Sequence, residues 1–230
     1  MSAYQKIARF FSSKSLATKV CIGLCALVFF IFILLAFGAS KPADTTSANP
    51  DQLPIFSTSQ AIEILSNNAE SGDIIFRQGL NTESVIIAYL SDSLFSHIGM
   101  VISTNPFLII HATTDDDPRF PNQVIISPLQ EFLAQGKVFA LSRQRLAKSV
   151  REAIAADSRA YLHRAFVLDT SESRLYCTSF LESIIVKRTP ISLPYARVSM
   201  PVVAGEYLFP QAFFESDDFE KIVPPFALEK

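Results

Sequence analysis

The sequence predicts an α+β domain, a mainly antiparallel sheet packed with helices, preceded by one N-terminal transmembrane helix. Three observations predict it. Val20 to Ala39 is a run of twenty residues without a charge. Ser40 to Pro54 is small, polar and proline-rich. From Ile55 onward, apolar spacing switches between helix and strand periods, in the order helix, strand, helix, a run of strands, then helices.

Residues 1–19 carry Lys6, Arg9, Lys14 and Lys19 and no acidic residue, so they read as a cytoplasmic basic segment. Residues 20–39 are long enough, at 1.5 Å per residue, to span a hydrocarbon core of ~30 Å. The positive flank stays inside, which makes the protein single-pass and its remainder extracytoplasmic, periplasmic in a Gram-negative cell. A cleaved signal peptide is the competing reading: Gly38, Ala39 and Ser40 suit cleavage, but such apolar regions run to about 7–15 residues. Cys21 and Cys25 lie one helical turn apart in the span, as apolar residues or as sites for lipidation or cross-linking. Residues 40–54 have linker composition. Residues 55–230 form the soluble domain.

Within it, Ala61, Ile62, Ile64 and Leu65 predict a short helix with Ser59 as a possible cap, ended by Gly72. Asp73 to Arg77 reads as a strand that Gly79 breaks, and Val85 to Leu90 as a second helix. Ser96 to Ile102 alternates, with Ile98, Met100 and Ile102 on one face and His97, Gly99 and Val101 on the other. The turn cluster Ser103 to Pro106 follows, then a strand from Phe107 to Ala112. Two more strands, Gln123 to Ser127 and Lys137 to Arg143, flank a short helix at Pro128 to Ala134. Val150 to Tyr161 and Tyr176 to Val186 have helical spacing. The proline-rich, aromatic chain after Pro190 reads as irregular segments over the core.

Net charge is −2 and the basic residues are unclustered beyond the N-terminus, so nucleic acid is not an expected partner. No CxxC pair, P-loop or dinucleotide-binding glycine pattern occurs, and neither a metal nor a cofactor is expected.

The chemistry points to Cys177, the only cysteine beyond the apolar span. Phe180, Leu181, Ile184 and Ile185 put it in the first turn of a buried helix, where unpaired N–H groups and the dipole favour a thiolate. A small residue sealing the core would show the same pattern. A nucleophilic cysteine needs a base and a group to orient that base. His97 and His111 lie in adjacent strands. A hairpin centred on Thr104 places them opposite each other, whereas a two-residue loop sends the rings to opposite faces. Gly99 leaves space beside His97 for a backbone, a substrate or tight core packing. His163 and Asp115-Asp116-Asp117 read as solvated groups. Asp169 and Glu172 read as caps before the cysteine helix.

Gly72-Asp73-Ile74-Ile75-Phe76, Ser96-His97-Ile98-Gly99-Met100-Val101 and Leu175-Tyr176-Cys177-Thr178-Ser179-Phe180-Leu181 together resemble the YiiX-like, circularly permuted branch of the NlpC papain-like hydrolases. The resemblance covers about residues 70 to 220. It implies a permuted papain-like (NlpC-like) fold, with Cys177 as nucleophile, His97 as general base and His111 as the polar residue that orients the base. Ser179 departs from the pattern, because relatives commonly have glutamate two residues after the cysteine. The implied activity is cysteine-dependent cleavage of an amide in a peptide or cell-wall stem peptide. Acyl-lipid thioester or ester chemistry, acyl transfer, and non-catalytic envelope binding are the alternatives.

Overall fold

The computed structural model describes residues 52–199 and 204–229. The basic segment, the apolar span and nearly all of the linker lie outside them. No helix among the described residues is long and apolar enough to cross a membrane.

A seven-stranded sheet organises the domain. Its strands are β1 (Ile55–Phe56), β2 (Ile74–Gly79), β3 (His97–Thr104), β4 (Phe107–Thr113), β5 (Gln123–Pro128), β6 (Gly136–Gln144) and, last in the chain, β9 (Phe219–Leu228). They lie in the order β1-β9-β6-β2-β3-β4-β5. Only β1 and β9 pair in parallel, so the sheet is mixed but mainly antiparallel. Two short strands, β7 (Ala196–Ser199) and β8 (Ala204–Tyr207), pair with each other outside it.

Alternation along the strands feeds two apolar layers. On one face, Ile75, Val101, Ile109 and Phe139 pack against α1 (Thr58–Asn68) and α3 (Leu129–Ala134). On the other, Phe76, Ile98, Met100 and Ile110 pack with α4 (Lys148–Ser158), α5 (Cys177–Ile185) and α6 (Pro210–Glu215). The expected faces of β3 are therefore those observed. Helix α2 (Thr82–Leu90) packs beside β2 and starts where Asn81 Oδ1 accepts the Ser84 N–H at 2.9 Å.

Two expectations change. Helix α1 is capped by Ser57, not Ser59: Ser57 Oγ accepts the Gln60 N–H while Gln60 Oε1 accepts the Ser57 N–H. The chain after Pro190 is also less irregular than expected, because β9 lies between β1 and β6. Pro224 and Pro225 argue against an inner strand, since neither donates to a ladder. They sit where the β6 register slips between Phe139↔Phe226 and Leu141↔Val223, and β1 meets β9 only at Ala227 and Leu228. A bulge on one side and a short neighbour on the other leave both prolines without an amide to supply.

Candidate active site

A polar row crosses four strands on the face covered by α3. Arg77 on β2 stands directly opposite His97 on β3. His97 Nε2 lies 2.9 Å from His111 Nδ1 on β4, and His111 Nε2 lies 3.0 Å from Ser127 Oγ on β5. The two rings are nearly perpendicular, at 82° and 5.1 Å between centroids. Phe132 of α3 closes the row, 5.2 Å from the His111 ring and with the Arg77 guanidinium 4.6 Å from its own.

How the rings come to share a face differs from the simple hairpin. The turn is short, pairing Thr104 with Phe107 and Ser103 with Leu108, a register that alone would put the rings on opposite faces. Ile102 is then left as an extra residue, and pairing resumes at Val101↔Ile109. This bulge shifts parity by one. His111 thereby falls across from Gly99, and His97 is its diagonal neighbour. A Cβ on Gly99 would sit 2.6 Å from Ile109 Cγ2 and 3.2 Å from His111 Cβ. Gly99 therefore makes room for these two side chains.

Cys177 opens α5, which packs on β3 and β4. Its position is tied to the same hairpin. Val101 N–H donates to the carbonyl of Asp73, the residue just before β2, at 2.8 Å, so even-numbered amides of β3 face β4. The β3–β4 pairing reaches only to Met100↔Ile110, and the Ile98 N–H instead donates to Cys177 Sγ. The Thr178 N–H donates to the same sulfur. Ser179 completes the helix start: its Oγ accepts the Tyr176 N–H at 2.9 Å. It performs the capping that a glutamate there could perform, and at 4% exposure it is turned away from solvent. Leu208 is fastened alongside, its N–H donating to Tyr176 Oη at 3.0 Å and its carbonyl accepting Thr178 Oγ1 at 2.6 Å.

Cys177, His97 and Arg77 line a cleft of about 360 Å³. Ile86, Ile87 and Leu90 of α2, with Phe166 and Leu168, make much of its wall apolar, and Glu83 and Asp115 are acidic groups on it. Cys177 keeps partial exposure there, yet it is enclosed closely enough that burial pushes its thiol up to about 11, against the Ile98 and Thr178 amides and the Arg77 charge. Burial, with Arg77 and His111 nearby, holds His97 well below the ordinary histidine range. Burial brings His111 down to about 3, with Asp116 opposing and Arg77 adding to the shift. At neutral pH the resting site therefore holds a thiol and two neutral imidazoles.

Asp116 is not the solvated group the sequence suggested. Its side chain is 9% exposed, and its oxygens lie 2.7 and 2.6 Å from Arg77 Nη2. Oδ1 also accepts Thr113 Oγ1 at 2.9 Å. Burial acts to raise its pKa, and Arg77 and His111 overcome that and hold it below the usual carboxylate range. Asp117 pairs with exposed Arg119. Asp169 accepts the Ser171 N–H in the loop ahead of α5 and does not cap that helix as expected, because the N-cap position is Tyr176. His163 is exposed, bonded to Gln123, and takes no part in the row. Arg77, Asp116 and Ser127 were the residues missed. Arg77 carried a signal: a charge directly after the apolar run Ile74-Ile75-Phe76 of one strand.

His97, His111 and Asp116 offer three metal-ligand atoms within 4.8 Å of one another. Two imidazole nitrogens on a tetrahedral ion at ~2.0–2.1 Å stand about 3.3 Å apart. Here they are 2.9 Å apart, in hydrogen-bond contact, and the carboxylate already carries a guanidinium. This donor set does not fit a resident cation.

A model of the permuted papain-like amidase enzymes, the YaeF/YiiX or C92 family, matches residues 68–223. The chain belongs to this family. It is a family of papain-like cysteine amidases, so the chain is of the cysteine hydrolase kind. The solved structures include a neighbour described as the metalloprotein yiiX from Escherichia coli O157:H7, DUF1105. It has 20% identity and a TM-score of 0.58, over 69% of this chain and 99% of that one, which shows the permuted papain-like α+β fold. No curated protein matches the chain.

Proposed function

We propose that the domain is an extracytoplasmic cysteine amidase, tethered to a membrane by residues 20–39, with Cys177 as nucleophile, His97 as base and His111 as its positioning residue. The contact between His97 Nε2 and His111 Nδ1 carries the reading. In the tautomer the mechanism requires, Nε2 of His97 is the donor in this contact and Nδ1 is left to take a proton. His111 then accepts at Nδ1 and donates from Nε2 to Ser127 Oγ.

Cys177 Sγ attacks the substrate carbonyl carbon as its proton passes to His97 Nδ1. Amides at the start of α5 are suited to receive the developing oxyanion. The imidazolium gives its proton to the leaving nitrogen as the C–N bond breaks. Water, deprotonated by His97, then attacks the thioester and releases the acid and the thiol. The proposed substrate is a peptide or cell-wall stem-peptide amide. The apolar wall of the cleft favours a second substrate reading, an acyl-lipid amide, ester or thioester cleaved through the same acyl-enzyme. No step is assigned to a metal, for the reason of fit given above.

A cysteine-directed alkylating reagent tests the assignment. Wild-type Cys177 should react faster at neutral pH than Cys177 in His97→Ala. Equal rates would refute the activated thiol.

A further inference from the structure

Among the described residues, the large apolar side chains left in solvent are unevenly spread. Leu80, Val85, Ile86 and Tyr89 are 55%, 52%, 46% and 68% exposed, all on α2 or leading into it. Val85, Ile86 and Tyr89 occupy positions i, i+1 and i+4, so they share one helix face. Leu168, 53% exposed, lines the same cleft as Ile86. The opposite side of α2 is already used, with Ala88 buried. The patch thus sits at the mouth of the catalytic cleft. It needs a covering, because contiguous apolar surface of this kind marks an interaction site.

What covers it follows from the chain outside the domain. Some thirteen residues, Ser40 to Gln52, join the apolar span to the first described residue. Fully extended they reach about 45 Å. A domain of this size is roughly 40 Å across. The linker is therefore long enough to let any face of the domain meet the surface in which the span is held. Only an apolar face gains by doing so. No Lys or Arg lies within α2, whose single charge is Glu83, so the contact is apolar rather than an attraction to anionic headgroups.

We propose that the Val85–Ile86–Tyr89 face of α2 docks on the acyl boundary of the bilayer that holds the N-terminal span, presenting the cleft mouth to the membrane surface. The proposal rests on the membrane-tethered reading above. The chain has no tryptophan, so Tyr89→Trp introduces a unique fluorophore. Val186→Trp serves as control, at the far end of α5 from Cys177 and 49% exposed.

Each full-length variant is reconstituted in phosphatidylcholine vesicles with plain or acyl-brominated lipid. Tyr89→Trp emission should fall about twofold or more with brominated lipid while the control is unchanged, as an interfacial helix requires. Adding Val85→Asp should abolish that quenching, with flotation retained. If the chain floats but Tyr89→Trp is no more quenched than the control, docking is overturned and tethering stands. A blue-shifted but unquenched signal overturns it in favour of contact with a second copy of the chain. If the chain fails to float after an alkaline wash, tethering and docking both fail, and thiol labelling still judges the catalytic assignment.

Discussion

His97 Nε2 and His111 Nδ1 meet at 2.9 Å although their residues are diagonal, not direct, partners across the β3–β4 hairpin. The contact depends on a bulge at Ile102 and a missing side chain at Gly99. It joins His97 to a buried chain ending at Ser127.

That geometry predicts a broad pH profile. In the proposed mechanism the reactive state is thiol plus neutral imidazole, present between the depressed pKa of His97 and the raised pKa of Cys177. Wild-type kcat/KM should be flat across neutrality, with its alkaline limb displaced toward about 11. In His97→Ala, alkylation of Cys177 should rise about tenfold per pH unit through the same range, because only the thiolate then reacts. An alkaline limb near the ordinary thiol value would contradict the enclosed thiol.

Acid should destabilise the fold before the carboxylates titrate. His111 falls from 6.5 to about 3 on folding, so between those values the unfolded chain binds the extra proton. Stability from keeping His111 neutral is complete above 6.5 and is lost as pH falls toward 3. Thermal melts of wild type should drop through this window, and His111→Gln should flatten the drop.

The Arg77–Asp116 pair should behave as a buried ion pair. Asp116→Asn leaves the guanidinium without its counter-charge and should cost about 3–5 kcal/mol. Replacing both, as Arg77→Met with Asp116→Leu, should recover much of that. Denaturant unfolding of the single and double variants measures the coupling.

Gly99→Ala should separate geometry from chemistry. The added Cβ meets Ile109 Cγ2 at 2.6 Å and crowds His111, with an overpacking cost of about 1–3 kcal/mol. Activity should fall although Cys177, His97 and His111 all remain, and slow thiol labelling should accompany the loss.

Chelation should leave hydrolysis intact. The imidazole pair is closed by a hydrogen bond and Asp116 by Arg77, so dialysis against a strong chelator should not change kcat/KM. Restoration by added divalent ion would refute the fit argument.

Much of this was legible in the sequence where one rule dominated. The alternation of Ile98, Met100 and Ile102 placed β3 correctly, and the spacing from Phe180 to Ile185 placed α5. Pro224 and Pro225 hid β9, because a bulge and a short neighbour excuse them in ways only the assembled sheet reveals. Asp116 looked like loop charge because its partner Arg77 is far away in sequence and close only after folding. The histidine pair was legible as a possibility, but the bulge that decides its parity carries no local signature.

The extra residue at Ile102 has a bearing on how relatives can diverge. A single insertion or deletion in the Ser103–Phe107 turn would flip His111 to the other side of the sheet. Two such changes, or one together with loss of the bulge, would restore it. Hairpin lengths in functional descendants should therefore differ by an even count wherever the bulge is kept. Odd steps should be found only in lineages that have straightened the strand or abandoned the second histidine.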